Sequence, residues 1–278
     1  MSQLYADIII DISHSAIDRV FQYRIGAEWE EQVQIGSLVT VPFGKGNAHR
    51  HGYVVGITQT PSYAPDKIKE IAEVPQKGIP IEGKLIQLAA WMRETYGTTM
   101  NQALQTVMPV KQTVRKTTQK VEETKLSEDQ WEFVTLNAEQ QALVDEFAED
   151  VQMSTRKTYL LHGVTGSGKT EVYIQCIKEV IREGGQAIVL IPEISLTYQT
   201  LARFRKHFGT RVAFVNSRQS KGEKYEQFRK AKDGEVDVVI GPRSALFTPF
   251  QNLKLIVMDE EHDSAFKSDQ APRYHARD

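Results

Sequence analysis

Cysteine is nearly missing from this 278-residue chain: Cys176 stands alone. That excludes a disulfide framework and a cysteine zinc cluster. Long hydrophobic runs are also missing, the longest being of strand length, so no membrane span is indicated. Residues Met1–Asp7 carry no basic stretch and no cleavage signal, which argues against secretion and makes the cytoplasm the default compartment. Net charge is scarce too: 34 Lys+Arg against 36 Asp+Glu leave −2, a total that does not advertise nucleic-acid binding. No internal repeat or low-complexity segment stands out. What remains is ordinary globular composition, 40% hydrophobic and 25% charged, with room for about two domains.

The small net charge hides an uneven distribution. Arg203, Arg205, Lys206, Arg211, Arg218, Lys221, Lys224, Arg229, Lys230 and Lys232 follow one another with few opposing acids. Such local density suits phosphate contact. A solvated helix face accounts for it equally well.

Eight residues carry the sharpest chemical signal. Gly163-Val164-Thr165-Gly166-Ser167-Gly168-Lys169-Thr170 spell G-x-x-x-x-G-K-T, a phosphate-cradling loop. Its glycines allow a tight turn that aims backbone N–H donors at a polyphosphate, at the positive end of the next helix. Lys169 adds a point charge for the β/γ phosphates, and the Thr170 hydroxyl is suited to Mg²⁺. The flanks agree. Tyr159–His162 reads as a buried strand, while Val172, Cys176, Ile177, Val180 and Ile181 recur at helical spacing before Gly184-Gly185.

The surrounding pattern divides the chain. Residues 1–109 read as β-rich, with strands at Ala6–Ile10, Ser37–Val41 and Gly52–Ile57, a tight loop at Pro42–Gly46, and helices over Ile81–Tyr96 and Asn101–Val107. Residues 110–135 read as a linker, its polar, basic stretch Lys111–Leu126 being open also to an exposed strand pair. In 136–278 a helix opens at Asn137 with Gln140 three residues on, a capping-box spacing. Strands at Tyr159–His162, Ala187–Ile191, Val212–Val215, Val236–Ile240 and Leu255–Met258 then alternate with helices, the rhythm of a doubly wound parallel sheet.

A second chemical signal closes that sheet. The apolar strand ending at Met258 delivers Asp259-Glu260-Glu261-His262 at its carboxyl end, where ligands bind in such sheets. Asp259 is placed to hold Mg²⁺ through water, and Glu260 to orient or deprotonate the attacking water. Together with the phosphate loop, D-E-x-H resembles the superfamily-2 helicase and translocase pattern. That resemblance gives His262 the relay between nucleotide state and nucleic acid, and gives Gln140 the role of reading adenine. Gln140 as a plain helix cap is the alternative.

Longer strings narrow the likeness. Leu136–Gln140, Leu161–Tyr173, Leu190–Thr197, Gly241–Phe247, Asp259–Asp263 and Pro272–Asp278 resemble the PriA family of bacterial replication-restart helicases. The resemblance implies an α/β fold: a RecA-like, parallel-sheet P-loop ATPase lobe preceded by a small β-rich DNA-binding domain. It implies ATP and Mg²⁺ as cofactors, with Gly163–Thr170 and Gln140 on the nucleotide, Thr170 and Asp259 on the metal, and Lys169, Asp259 and Glu260 in catalysis. For DNA it implies a 3′-end pocket built from Phe21, Gln22, Gly44, Lys45 and Lys69. Backbone and stacking contacts fall to Arg243, Phe266, Lys267, Arg273 and Tyr274. Gln22 stands where some relatives carry an acid suited to the terminal hydroxyl.

By the same resemblance the implied partners are forked DNA with a 3′ end, single-strand-binding protein and primosome loaders, with the chain a monomer away from membranes. Two departures set expectations. Pro109–Leu136 is too short for the family's winged-helix domain. The family's second helicase lobe, arginine finger and zinc region lie beyond Asp278, so poor ATP turnover by this chain is expected. The competing readings are a non-catalytic fork-binding fragment and another superfamily-2 DNA translocase.

Overall fold

The computed structural model describes residues 3–75, 80–108 and 135–278, which divide into two compact units. The expected linker, and with it the winged-helix question, falls almost wholly outside the described residues. Among those described, no helix is long and apolar enough to cross a membrane.

The first unit is built on a four-stranded antiparallel sheet. Its strands are β1 (Tyr5–Ile10), β2 (Phe21–Arg24), β3 (Leu38–Phe43) and β4 (Ala48–Thr58), in the order β2-β1-β4-β3. Ala6, Ile8 and Ile10 alternate onto one face of β1 and join Tyr23, Val39, Val41 and Val54 in a core. Gly52 permits the close β1–β4 approach, since a Cβ there would lie 2.6 Å from Ile8 Cγ2.

Helices α1 (Gly83–Tyr96) and α2 (Met100–Val107) follow. Gly97 ends α1 in the left-handed conformation (φ 61°), and Thr99 with Gln102 opens α2 as a capping box. Residues 267–276 and Asp278 group with this unit, not with the second one where the sequence rhythm put them. There Ser268 N–H donates to the Tyr274 carbonyl at 2.8 Å, the Tyr96 hydroxyl donates to Asp278 at 2.7 Å, and the Lys267 ammonium sits 5.7 Å from the Tyr96 ring.

The second unit holds α3 (Ala138–Gln152), α4 (Lys169–Arg182), β5 (Gln186–Leu190), α5 (Tyr198–Phe208), β6 (Val212–Phe214), α6 (Lys221–Lys232), β7 (Val238–Gly241) and β8 (Leu253–Met258). The sheet is parallel with order β6-β7-β5-β8. β5 is buried along its whole length, as a central parallel strand covered on both faces must be. Ile174 and Ile177 of α4 and Phe204 of α5 pack on its side chains. Burying each such group contributes about 1.5–3 kcal/mol. α3 packs on α4 through Val144, Phe147, Val172, Cys176 and Val180.

One expected strand is absent: Tyr159–His162 pairs with no ladder. Tyr159 and Leu161 lean on the α3–α4 layer, Leu160 is 85% exposed, and the Tyr159 hydroxyl bonds Asp150. β-propensity alone does not order a strand that has no partner. The described sheet therefore has four strands, with β8 at one edge.

Candidate nucleotide site and nucleic-acid faces

The parallel sheet brings every strand's carboxyl end to one edge. Three backbone bonds tie that edge together: Asp259 N–H to Leu190 O (2.9 Å), Ile191 N–H to Gly241 O (2.9 Å) and Val215 N–H to Ile240 O (2.8 Å). Asp259, Pro192, Asn216 and Arg243 thus emerge side by side, as the switch-edge rule requires.

The phosphate loop runs into α4 as the motif demands. Gly166 (φ 80°) and Gly168 (φ 86°) occupy left-handed backbone that glycine adopts without strain, and Gly168 is the helix N-cap. The Lys169 ammonium donates to the carbonyls of Gly163 (2.7 Å) and Val164 (3.1 Å), which sets it at the mouth of the loop. Polyphosphate oxygens are charge-assisted acceptors and would compete for it.

Gln140 plays the capping part in full. Its Oε1 accepts from Asn137 N–H (3.0 Å), and its own N–H donates to Asn137 Oδ1 (2.9 Å). Its amide nitrogen also donates to the Ser167 carbonyl at 2.9 Å, tying α3 to the phosphate loop. A Cβ at Gly168 would lie 2.8 Å from that nitrogen, so a glycine there makes room for the contact.

Asp259 and Glu260 follow β8 directly. Glu260 is in the left-handed region (φ 53°), uncommon for a residue with a Cβ, and this turns the chain sharply after the strand. The two acids, Thr170, Tyr173, Thr200 and Arg203 line a cleft of about 210 Å³. The Asp259 carboxylate accepts from the Tyr173 hydroxyl (3.0 Å) and from Glu260 N–H (3.1 Å). Burial, and next the Asp259 charge, hold the Tyr173 phenol far above its ordinary range, so it stays a donor. His262 lies 3.7 Å from Glu260, both well exposed, a pairing worth little in water.

Among the described residues no three or more His, Cys, Asp or Glu converge on a metal position. The hard oxygens of Thr170 and Asp259 fit Mg²⁺ all the same, because that ion takes one or two protein oxygens and completes its shell with phosphates and water. When bound, Mg·ATP would supply the phosphoanhydride and the cation that neutralises its charge.

The residues assigned to DNA divide between the units. In the first, Phe21 and Phe43 meet edge to face at 5.1 Å, and the Arg19 guanidinium stacks over Phe21 at 5.0 Å. Lys45 is exposed, and Lys69 donates to the Gly44 carbonyl at 3.0 Å. Gln22 is buried with both ends of its amide engaged: Oε1 accepts from Ser62 N–H (2.6 Å), and Nε2 donates to Asp7 (3.1 Å). It braces the loop after β4, and the carboxylate at this spot is Asp7, its cross-strand partner. Lys267 and Arg273 are exposed, whereas Tyr274 is buried.

In the second unit Arg243 donates to the Ala265 carbonyl at 3.0 Å, and Phe266 is completely buried. The aromatic faces expected of Phe266 and Tyr274 are thus turned inward, since rings of that size gain more from packing than from water. Exposed instead at the sheet edge are Ile194 and Tyr198. Within the basic run Arg229 reaches Glu226, Asp233 and Glu235, Arg211 bonds Asp237, and Arg205 lies over Phe214. The Arg229 pairs with Glu226 and Asp233 are those of a solvated helix face.

Sequence reading missed Asp7, Tyr173 and Arg203. Tyr173 carried a signal, standing one turn after Lys169 and therefore on the same helix face. Asp7 needed the strand register, and Arg203 was submerged in the basic run.

Comparison with known proteins matches two stretches of the chain. Residues 7–109 match the family model described as the 3′DNA-binding domain (3′BD) of PriA, and residues 133–276 match that of the type III restriction enzyme, res subunit. Among curated relatives, the replication restart protein PriA of Chlamydia muridarum is 30% identical across 99% of this chain and 46% of its own length. That of Treponema pallidum is 31% identical across 98% of the chain and 41% of its own length. The Bacillus subtilis protein of the same name is 50% identical over 147 residues, 53% of this chain and 18% of that protein. The chain spans less than half the length of these relatives.

Proposed function

Because the chain belongs to the PriA family of replication restart proteins, with residues 133–276 inside the type III restriction enzyme res-subunit family, we propose that it couples ATP to recognition of stalled replication forks. The observation that supports this best is the shared cleft: Thr170 of the phosphate loop and Asp259 and Glu260 of the strand end line one cavity. Lys169 and the loop amides would take the polyphosphate, Thr170 and Asp259 the Mg²⁺, and Glu260 the attacking water.

The first unit would take the 3′ end of a nascent strand. Phe21 offers a stacking surface, and Lys45 and Lys69 offer phosphate charge beside the open turn at Gly44. The 3′-to-5′ polarity, the single-strand-binding and primosome-loader partners, and solvation in the cytoplasm belong to the same proposal and rest on the family.

Two measurements test it. Weak ATP hydrolysis that forked DNA stimulates measurably and Lys169→Ala abolishes is the expected result, and a rate near that of a complete helicase would overturn the expected poor turnover. Lys169-dependent ATP binding with no DNA-stimulated turnover would return the non-catalytic reading instead. Affinity for a 3′-tailed fork should fall when its 3′ end is blocked by phosphate, and equal affinity for both forks would overturn end recognition.

A further inference from the structure

Tyr173 is more than a packed aromatic. Its ring is 7% exposed and stacks on Phe204 of α5, centroids 6.2 Å apart and planes 22° from parallel. Its hydroxyl donates to Asp259 Oδ2 at 3.0 Å, while Oδ1 of the same carboxylate accepts from Glu260 N–H at 3.1 Å. Without those bonds the side chain would turn freely about two torsions where the strand ends. Held from both sides, its plane is fixed against a backbone itself anchored on Leu190.

The same tyrosine lines the cleft beside Thr170, so one buried phenol borders both oxygen donors suited to the cation. A hydroxyl buried in an apolar layer needs a partner, which explains a bond of some kind. It does not explain why the partner is the one carboxylate at the head of β8 that faces the phosphate loop.

We propose that Tyr173 is a positioning residue for the divalent cation: it orients the Asp259 carboxylate, and its loss weakens the cation-dependent part of nucleotide binding. The proposal rests on the nucleotide reading of this cleft. Groups that hydrogen-bond a metal ligand govern affinity because a carboxylate that must be re-oriented on binding loses the benefit of its preset direction.

The test uses the whole chain and a fluorescent ATP analogue, with Kd measured in Mg²⁺ and in EDTA. Tyr173→Phe keeps the ring and its stacking but removes the hydroxyl. Its Mg²⁺-dependent gain in affinity should shrink roughly tenfold relative to wild type, with the EDTA value unchanged within about twofold. Direct Mn²⁺ titration by EPR in the presence of the analogue should show the same loss. Adding Tyr173→Phe to Asp259→Asn should cost nothing further, because the tyrosine acts through that carboxylate.

An undiminished Mg²⁺ gain in Tyr173→Phe, or losses that add in the double variant, would overturn the proposal. Failure of the underlying nucleotide reading looks different. In that case wild type and Lys169→Ala bind the analogue equally poorly with and without Mg²⁺, and both proposals fall.

Discussion

Replacing Gln140 separates two roles that one side chain combines. Alanine removes the bond from Asn137 N–H to Oε1 (3.0 Å) and the bond from Nε2 to the Ser167 carbonyl (2.9 Å). It spares the bond from the backbone N–H of residue 140 to Asn137 Oδ1. Two partly exposed bonds at about 0.5–1.5 kcal/mol each, offset by alanine's better helix propensity, give a loss of about 1–2 kcal/mol. For a domain of this size that lowers Tm by roughly 2–8 °C. Glutamate instead keeps the cap acceptor and adds a favourable charge in the first turn of α3, about 0.3–1 kcal/mol. It also turns a carboxylate oxygen toward the Ser167 carbonyl, so Gln140→Glu should lose only about 0–1 kcal/mol. Thermal unfolding followed by circular dichroism ranks the two variants. If Gln140→Glu unfolds as early as Gln140→Ala, capping is not what the side chain contributes. The same pair decides the adenine role. If the amide also reads the base, the ATP-over-GTP affinity ratio falls about tenfold in both variants, equivalent to about 1.4 kcal/mol. An unchanged ratio confines Gln140 to the cap and the loop contact.

Two further outcomes follow from buried titratable groups. Burial, and then the neighbouring Lys178 charge, depress the His207 imidazole below its usual 6.5, with Glu171 opposing. The unfolded chain therefore binds the extra proton first, and stability present above about pH 6.5 is lost as pH falls through the folded value. Denaturant midpoints at pH 7.5 and 5.5 should show this loss reduced in His207→Asn, and an equal loss in both proteins would refute it. Burial in the α3–α4 layer pushes the Cys176 thiol up to about 12, so it should resist a disulfide reagent in native buffer and react as the layer opens. Full labelling within seconds under native conditions would contradict the packing.

How much of this was legible in the sequence depended on the range of the interactions. Asn137 with Gln140, and Gly163–Thr170, are local patterns whose geometry is set within a turn or two, and both folded as read. The buried strands announced themselves because parallel strands covered on both faces are apolar throughout. β2 escaped because Phe21–Arg24 is four residues long and mixes polar with aromatic groups. Tyr159–His162 has strand composition, but pairing is a property of two segments and cannot be seen in one. Gln22 reads as a ligand group until the register sets it against Asp7 and Ser62. Phe266 and Tyr274 show the same limit, since composition does not say which way a ring faces.

The first unit takes residues 3–108 from one part of the chain and 267–276 with Asp278 from another. This has a consequence for the order of assembly. During synthesis the antiparallel sheet and its two helices can form early, from contacts close in sequence. The segment Lys267–Ala276 reaches them only after the chain through Phe266 has emerged, and it closes a very long loop when it docks. Since loop-closure entropy grows only as the logarithm of length, that delay costs the finished fold little while slowing its completion. A chain lacking residues 267–278 would keep the antiparallel sheet and its two helices but leave the first unit without its last piece.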